Sequence, residues 1–306
     1  MAFIVAAIIA STGAGVWAEL RYGGRAGVAS KRALLFVLYV VLPPVTFFNL
    51  ARVHIDANVG AGIGLAYLAL AGAALLAWFG ATRVLSLGRP AAGSVICCAL
   101  VANTGYLGYP LVAALLGFHR LSEAVVYDVL VSAPALLLGA FSVGAAFGER
   151  AGETLGQRVR AFFVRNPSVY AAVLALVAPN ALAPDALVDA SRVAVVAILP
   201  LGFFAVGTAL TEESAEGASP VPPAFDSPVA LAVATRLIVA PALLSLLALP
   251  LIDLPGPYLL LAAMPCGINT MVVTHAYGLD LRISAGAVAW STAIAVAAII
   301  PISILT

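Results

Sequence analysis

Ala102-Asn103-Thr104-Gly105-Tyr106-Leu107-Gly108-Tyr109-Pro110 lies inside an apolar run from about residue 91 to 117. An unbroken membrane helix has no use for an Asn, two Gly and a Pro so close together. Pro deletes a backbone donor and Gly weakens a helix. In hydrocarbon, every freed N–H or C=O then needs a partner. The stretch reads as a helix that stops and restarts at membrane depth, which survives only where protein buries the break or the break lines a polar cavity. A second such break, Met264-Pro265-Cys266-Gly267-Ile268-Asn269-Thr270, comes late in the chain. Paired interruptions at corresponding positions of two halves point to a solute site.

Composition places the breaks in a membrane. Of 306 residues, 63% are hydrophobic and only 9% are charged. Soluble chains carry roughly 25% charged residues. The net charge of +1 argues against a nucleic-acid partner. Cys97, Cys98 and Cys266 have neither metal-ligand nor disulfide-framework spacing and read as small core residues. The first twenty residues are apolar without a preceding basic region, so they read as a first membrane helix rather than a signal peptide.

A span needs about 20 apolar residues. Ten segments qualify: about 2–19, 32–51, 59–80, 91–117, 123–147, 166–183, 190–211, 228–250, 257–278 and 282–304. With the N-terminus outside, the loops facing the cytoplasm hold eleven of the fifteen Lys and Arg, including Arg21, Arg25, Lys31, Arg32, Arg158 and Arg165. The other face holds Arg52, Arg120 and Arg192, so the basic bias puts both termini outside. Thr211–Ser227, an acidic and Pro-rich loop, is silent on orientation. Leu42-Pro43-Pro44 in span two matches Leu199-Pro200 in span seven, and Asn103-Thr104 in span four matches Asn269-Thr270 in span nine. Repeats offset by five spans insert in opposite senses. The expected fold is therefore all-α and polytopic, a five-plus-five inverted repeat of residues 1–148 and 166–306 joined by a cytoplasmic linker at 149–165.

In that fold the broken helices cross near the midplane. Each break exposes a half-helix N-terminus with free N–H groups and partial positive charge, and two such ends make an anion site without Lys or Arg. Asn103 and Asn269 would each add amide donors there, with Thr104 and Thr270 beside them. The same asparagines could instead only cap the half-helices. Gly105, Gly108, Pro110, Pro265 and Gly267 would shape the unwound backbone. Pro43 and Pro200 kink their helices, and Asn49 suits an interhelical hydrogen bond. Arg236, inside span eight, could attract an anion, snorkel to the interface or form a structural pair. Asp128 could carry a coupling proton or cation, pair with Arg236, or lie at the interface. His275 could relay protons; Glu123, His119 and Arg120 read as solvated loop residues. No zinc-binding His-Glu-x-x-His pair, no nucleophile elbow and no phosphate-binding loop occurs, so no catalytic residue, metal or cofactor is assigned.

Leu38-Tyr39-Val40-Val41-Leu42-Pro43-Pro44, the 103–110 break, Pro200 through Leu210, and Pro265-Cys266-Gly267-Ile268-Asn269 resemble the auxin efflux carrier family in its prokaryotic branch, within the bile-acid symporter-like group. The likeness spans nearly the whole chain. It implies a scaffold of spans one, two, six and seven and a transport domain of spans three to five and eight to ten. It further implies elevator-like alternating access, crossover asparagines at Asn103 and Asn269, and a homodimer through the scaffold. The expected function is a secondary transporter in the cell (inner) membrane for a small organic anion, auxin-like or malonate- and malate-like. A passive anion channel on the same fold is the alternative.

Overall fold

The structure, a computed structural model, describes residues 2–52, 57–149, 167–215 and 223–305, together with 156 and 160. Most of the expected 149–165 linker, including Arg158 and Arg165, lies outside these residues, as do Pro220 and Pro222 of the acidic loop. The helical stretches, in chain order, are α1 (Ala2–Tyr22), α2 (Arg25–Leu50), α3 (Ala57–Val84), α4 (Arg89–Leu100), α5 (Tyr109–Leu115), α6 (Phe118–Phe147), α7 (Pro167–Val177), α8 (Asp185–Ala215), α9 (Ser227–Ala248), α10 (Gly256–Ala262), α11 (Asn269–Tyr277) and α12 (Leu281–Leu305). Among the described residues there is no strand, only an isolated bridge between Ala102 and Cys266. Six stretches, in α2, α3, α6, α8, α9 and α12, are long and apolar enough to cross a membrane; α4 and α7 are shorter apolar helices. The fold fits a polytopic α-helical membrane protein.

Proline placement explains four of the six widened stretches among the described residues; Gly80–Val84 and Ala135–Ala140 have no proline just beyond them. Wide π-turns occupy Val37–Val41, Thr104–Gly108, Asp128–Ser132 and Thr235–Val239. Each ends two residues before a proline: Pro43, Pro110, Pro134 and Pro241. Proline cannot donate to the carbonyl four residues back and its ring collides with it, and one extra residue in the preceding turn relieves both problems. Pro200 has no such turn and lies within the continuous α8.

Packing falls into two groups. α1, α2, α7 and α8 pack mainly on one another, and α3–α6 pack with α9–α12. In the first group, Gly15 and Gly207 let α1 and α8 touch backbone to backbone. A Cβ on Gly15 would stand 2.2 Å from the Phe204 carbonyl oxygen, and one on Gly207 2.2 Å from that of Thr12. Close approach through small residues replaces the hydrophobic drive that lipid removes. The buried Asn49 donates to the Val45 carbonyl at 2.8 Å and to Ser191 Oγ at 3.1 Å, joining α2 to α8 as expected.

Gly207→Val should destabilise the protein by about 1–3 kcal/mol through overpacking. Gly13→Ala, with open space at its Cβ, should be neutral or slightly stabilising. Thermal unfolding in detergent distinguishes the two.

Candidate functional site

The two breaks lie against each other. Asn103 N–H donates to the Pro265 carbonyl at 2.8 Å, and Gly267 N–H donates to the Val101 carbonyl at 3.0 Å. These reciprocal bonds flank the antiparallel Ala102–Cys266 bridge. Each helix thereby satisfies backbone groups that the other's interruption freed, the condition for irregular backbone at membrane depth. The pairing dictates Gly267, since a Cβ there would stand 2.9 Å from the Ala102 carbonyl oxygen. Gly108 serves close packing, its Cβ position being 2.4 Å from Leu261 Cδ2. Gly105 differs: nothing lies within 4 Å of its Cβ position, so the space beside it belongs to the cavity. Cys266 N–H is taken by Ser291 Oγ at 3.0 Å.

Each break also ends one half-helix and begins another. The ends belong to α4 and α10, whose last carbonyls carry partial negative charge. Arg236 of α9, 1% exposed, serves both. Its Nη1 donates to the Ala99 carbonyl at 2.9 Å and its Nη2 donates to the Ala262 carbonyl. Among the described residues no carboxylate lies in salt-bridge range of it. Arg236 therefore neither pairs with Asp128 nor snorkels, and it does not line the cavity. It is a cation buried on two converging helix C-termini.

The two beginnings face a cavity of about 380 Å³. Asn103, Thr104, Gly105, Gly267 and Asn269 all line it. Asn103 is 5% exposed, whereas Asn269 is exposed. The second N-terminus is less open than expected, because Thr270 and Met271 spend their N–H groups on the Gly267 and Ile268 carbonyls. Asp128, at the start of a π-turn in α6, also lines the cavity. It accepts hydrogen bonds from Thr104 Oγ1 and, at 2.8 Å, from Tyr109 Oη. Apolar walls come from Leu38, Tyr39, Tyr106, Leu136, Phe141 and Ile198. Among the described residues no Lys, Arg or His lines the space.

Thr270 is fully buried outside this lining, with its hydroxyl unpartnered. Pro110 follows the π-turn that carries Thr104, and Pro265 supplies its carbonyl to Asn103. Pro43 and Pro200 lie in α2 and α8 and do not line the cavity. Tyr109 and Ser291 were not expected. Tyr109 stands in the quoted motif, but its spacing from Thr104 does not put the two on one face of an α-helix.

Residues 158–303, a little under half the chain, match the family model of a membrane transport protein. The match takes in Arg236 and the whole second break with Asn269, and it indicates a membrane transporter. No curated protein matches the chain.

Arg236→Met should leave both half-helix ends uncapped and cost about 2–5 kcal/mol. Arg236→Lys should recover only part, since an ammonium lacks the planar fork. Chemical unfolding in detergent measures both.

Proposed function

We propose that the chain is a secondary transporter for a small organic anion, bound at the crossing of the broken helices. The supporting observation is the convergence of Asn103, Thr104 and Asn269 with two half-helix beginnings on one cavity. Amide and backbone donors suit a carboxylate. Two details refine the substrate class. The walls are mainly aliphatic and aromatic, and among the described residues no cation lines the cavity to meet a second carboxylate. A monocarboxylate with an apolar or aromatic body fits better than a malonate-like dianion.

Asp128 bears on coupling. A substrate carboxylate about 6 Å from an ionised Asp128, at an effective dielectric of about 20, meets about 3 kcal/mol of repulsion. That is roughly a hundredfold in affinity. We therefore assign Asp128 as the carrier of a coupling proton that offsets the substrate charge. α1, α2, α7 and α8 form the scaffold, and the remaining helices carry the site past it in an elevator motion. Ten membrane passages in two inverted halves, placement in the cell membrane, membership of the prokaryotic auxin-carrier branch and a scaffold-mediated homodimer complete the reading. The cavity lining runs from the crossing toward the face where α2 and α7 begin and α6 ends, which suits a state open to that side.

Reconstituted protein should show saturable flux of an aromatic monocarboxylate. Asn103→Ala and Asn269→Ala should each lower it at least roughly a hundredfold while thermal unfolding stays cooperative, the size expected when binding and alignment are both lost. Full flux in both variants contradicts the site, and unitary conductance instead of saturable flux favours the passive channel. Asp128→Asn should flatten the pH dependence of flux; an unchanged pH profile removes Asp128 from coupling.

A further inference from the structure

A serine or threonine inside an apolar helix can return its hydroxyl to a backbone carbonyl three or four residues earlier, where no water is at hand. Thr82, Ser94, Thr211, Thr235 and Thr274 all do so. Ser132 does not. It closes the wide turn Asp128–Ser132 of α6, and among the described residues nothing pairs with its hydroxyl. Partly buried, it lines the cavity one turn along from Asp128.

Ser168, the second residue of α7, lines the same cavity. It is 7% exposed, and its hydroxyl is buried without a partner. α7 packs against the Asp128–Ser132 turn. The two serines therefore border the space from the two sides of the seam between the helix groups. Thr270 and Thr292 also carry unpartnered hydroxyls, but neither lines the cavity. The rest of the lining shows what the serines add. Asn103, Thr104 and Asn269 gather at the crossing, and Thr104 already bonds to Asp128. Val129, Leu136 and Leu137, near Ser132 on α6, are apolar. A hydroxyl held in such a wall without a partner carries a free-energy cost that a ligand group recovers. A serine hydroxyl both donates and accepts, so the matching group is an O–H or N–H on the ligand.

We infer that Ser132 and Ser168 are specificity-determining residues that select, among aromatic monocarboxylates, those bearing a hydroxyl or a ring N–H on the body. The inference rests on the anion site proposed above. The crossing holds the carboxylate and the serines read the far end of the ligand. An analogue without that polar group leaves both hydroxyls unpaired, which is how a site built to hydrogen-bond a substrate rejects it.

The test is a melting-temperature titration of the purified full chain with phenylacetate and with the hydroxyphenylacetate isomers. In the wild type at least one isomer should half-saturate at a roughly tenfold lower concentration than phenylacetate. That advantage should vanish in Ser132→Ala/Ser168→Ala and largely survive in Ser132→Thr, which keeps a hydroxyl. Asn103→Ala should weaken phenylacetate and the isomer by the same factor, since it acts on the carboxylate they share. No isomer ahead of phenylacetate in the wild type, or an unchanged ratio in the cooperatively unfolding Ala variant, overturns the inference and leaves the anion site standing. If neither phenylacetate nor any isomer stabilises the wild type, the anion site fails and the inference falls with it.

Discussion

Two backbone hydrogen bonds, Asn103 to Pro265 and Gly267 to Val101, hold the molecule's centre together. Without them each interrupted helix would leave amides and carbonyls unpaired in a medium with no water. An unsatisfied buried group costs about 1–3 kcal/mol, so neither break is tolerable alone. Together they exchange partners across the Ala102–Cys266 bridge. Charge then separates around the crossing. The carbonyl ends of α4 and α10 turn to Arg236, and the beginnings of the second half-helices turn to the cavity. The polar site is thus a by-product of making the break stable, with Arg236 holding the negative side so that the positive side stays available.

Proline and glycine do different work around this centre. Pro43, Pro110, Pro134 and Pro241 each follow a widened turn. Two of those turns begin with Thr104 and Asp128, the hydroxyl and carboxylate that meet at the cavity. Glycine instead sets approach distances, between α1 and α8 at Gly15 and Gly207 and between the broken helices at Gly108.

Much of this was legible in the chain, because Asn, Gly and Pro are conspicuous in an apolar run. The breaks, their pairing, and the placing of Asn103, Thr104 and Asn269 on one cavity follow from that contrast. Arg236 was not legible. A buried Arg advertises its cost, but sequence does not say whether a carboxylate, a ligand or carbonyls meet it. The Tyr109 contact with Asp128 was hidden because residues five apart lie about 140° apart on an α-helix, and only the π-turn brings Thr104 and Tyr109 to the same carboxylate. Thr270 stands outside the lining for the same kind of reason: a tight turn at Gly267–Met271 takes its amide, and its hydroxyl is buried. Length and composition pick out six crossing helices rather than ten segments: the breaks divide two, the start of the 166–183 segment lies outside the described residues, and α1 is not among the six.

The central claim is that the crossing binds a carboxylate through its asparagines. A melting-temperature titration of purified protein with monocarboxylates and dicarboxylates tests it without any assumption about transport, since a ligand of the folded state raises stability with concentration. The account predicts saturable stabilisation, strongest for aromatic monocarboxylates, that disappears in Asn103→Ala and in Asn269→Ala. Stabilisation of equal size in both variants, or none by any carboxylate in the wild type, would contradict it.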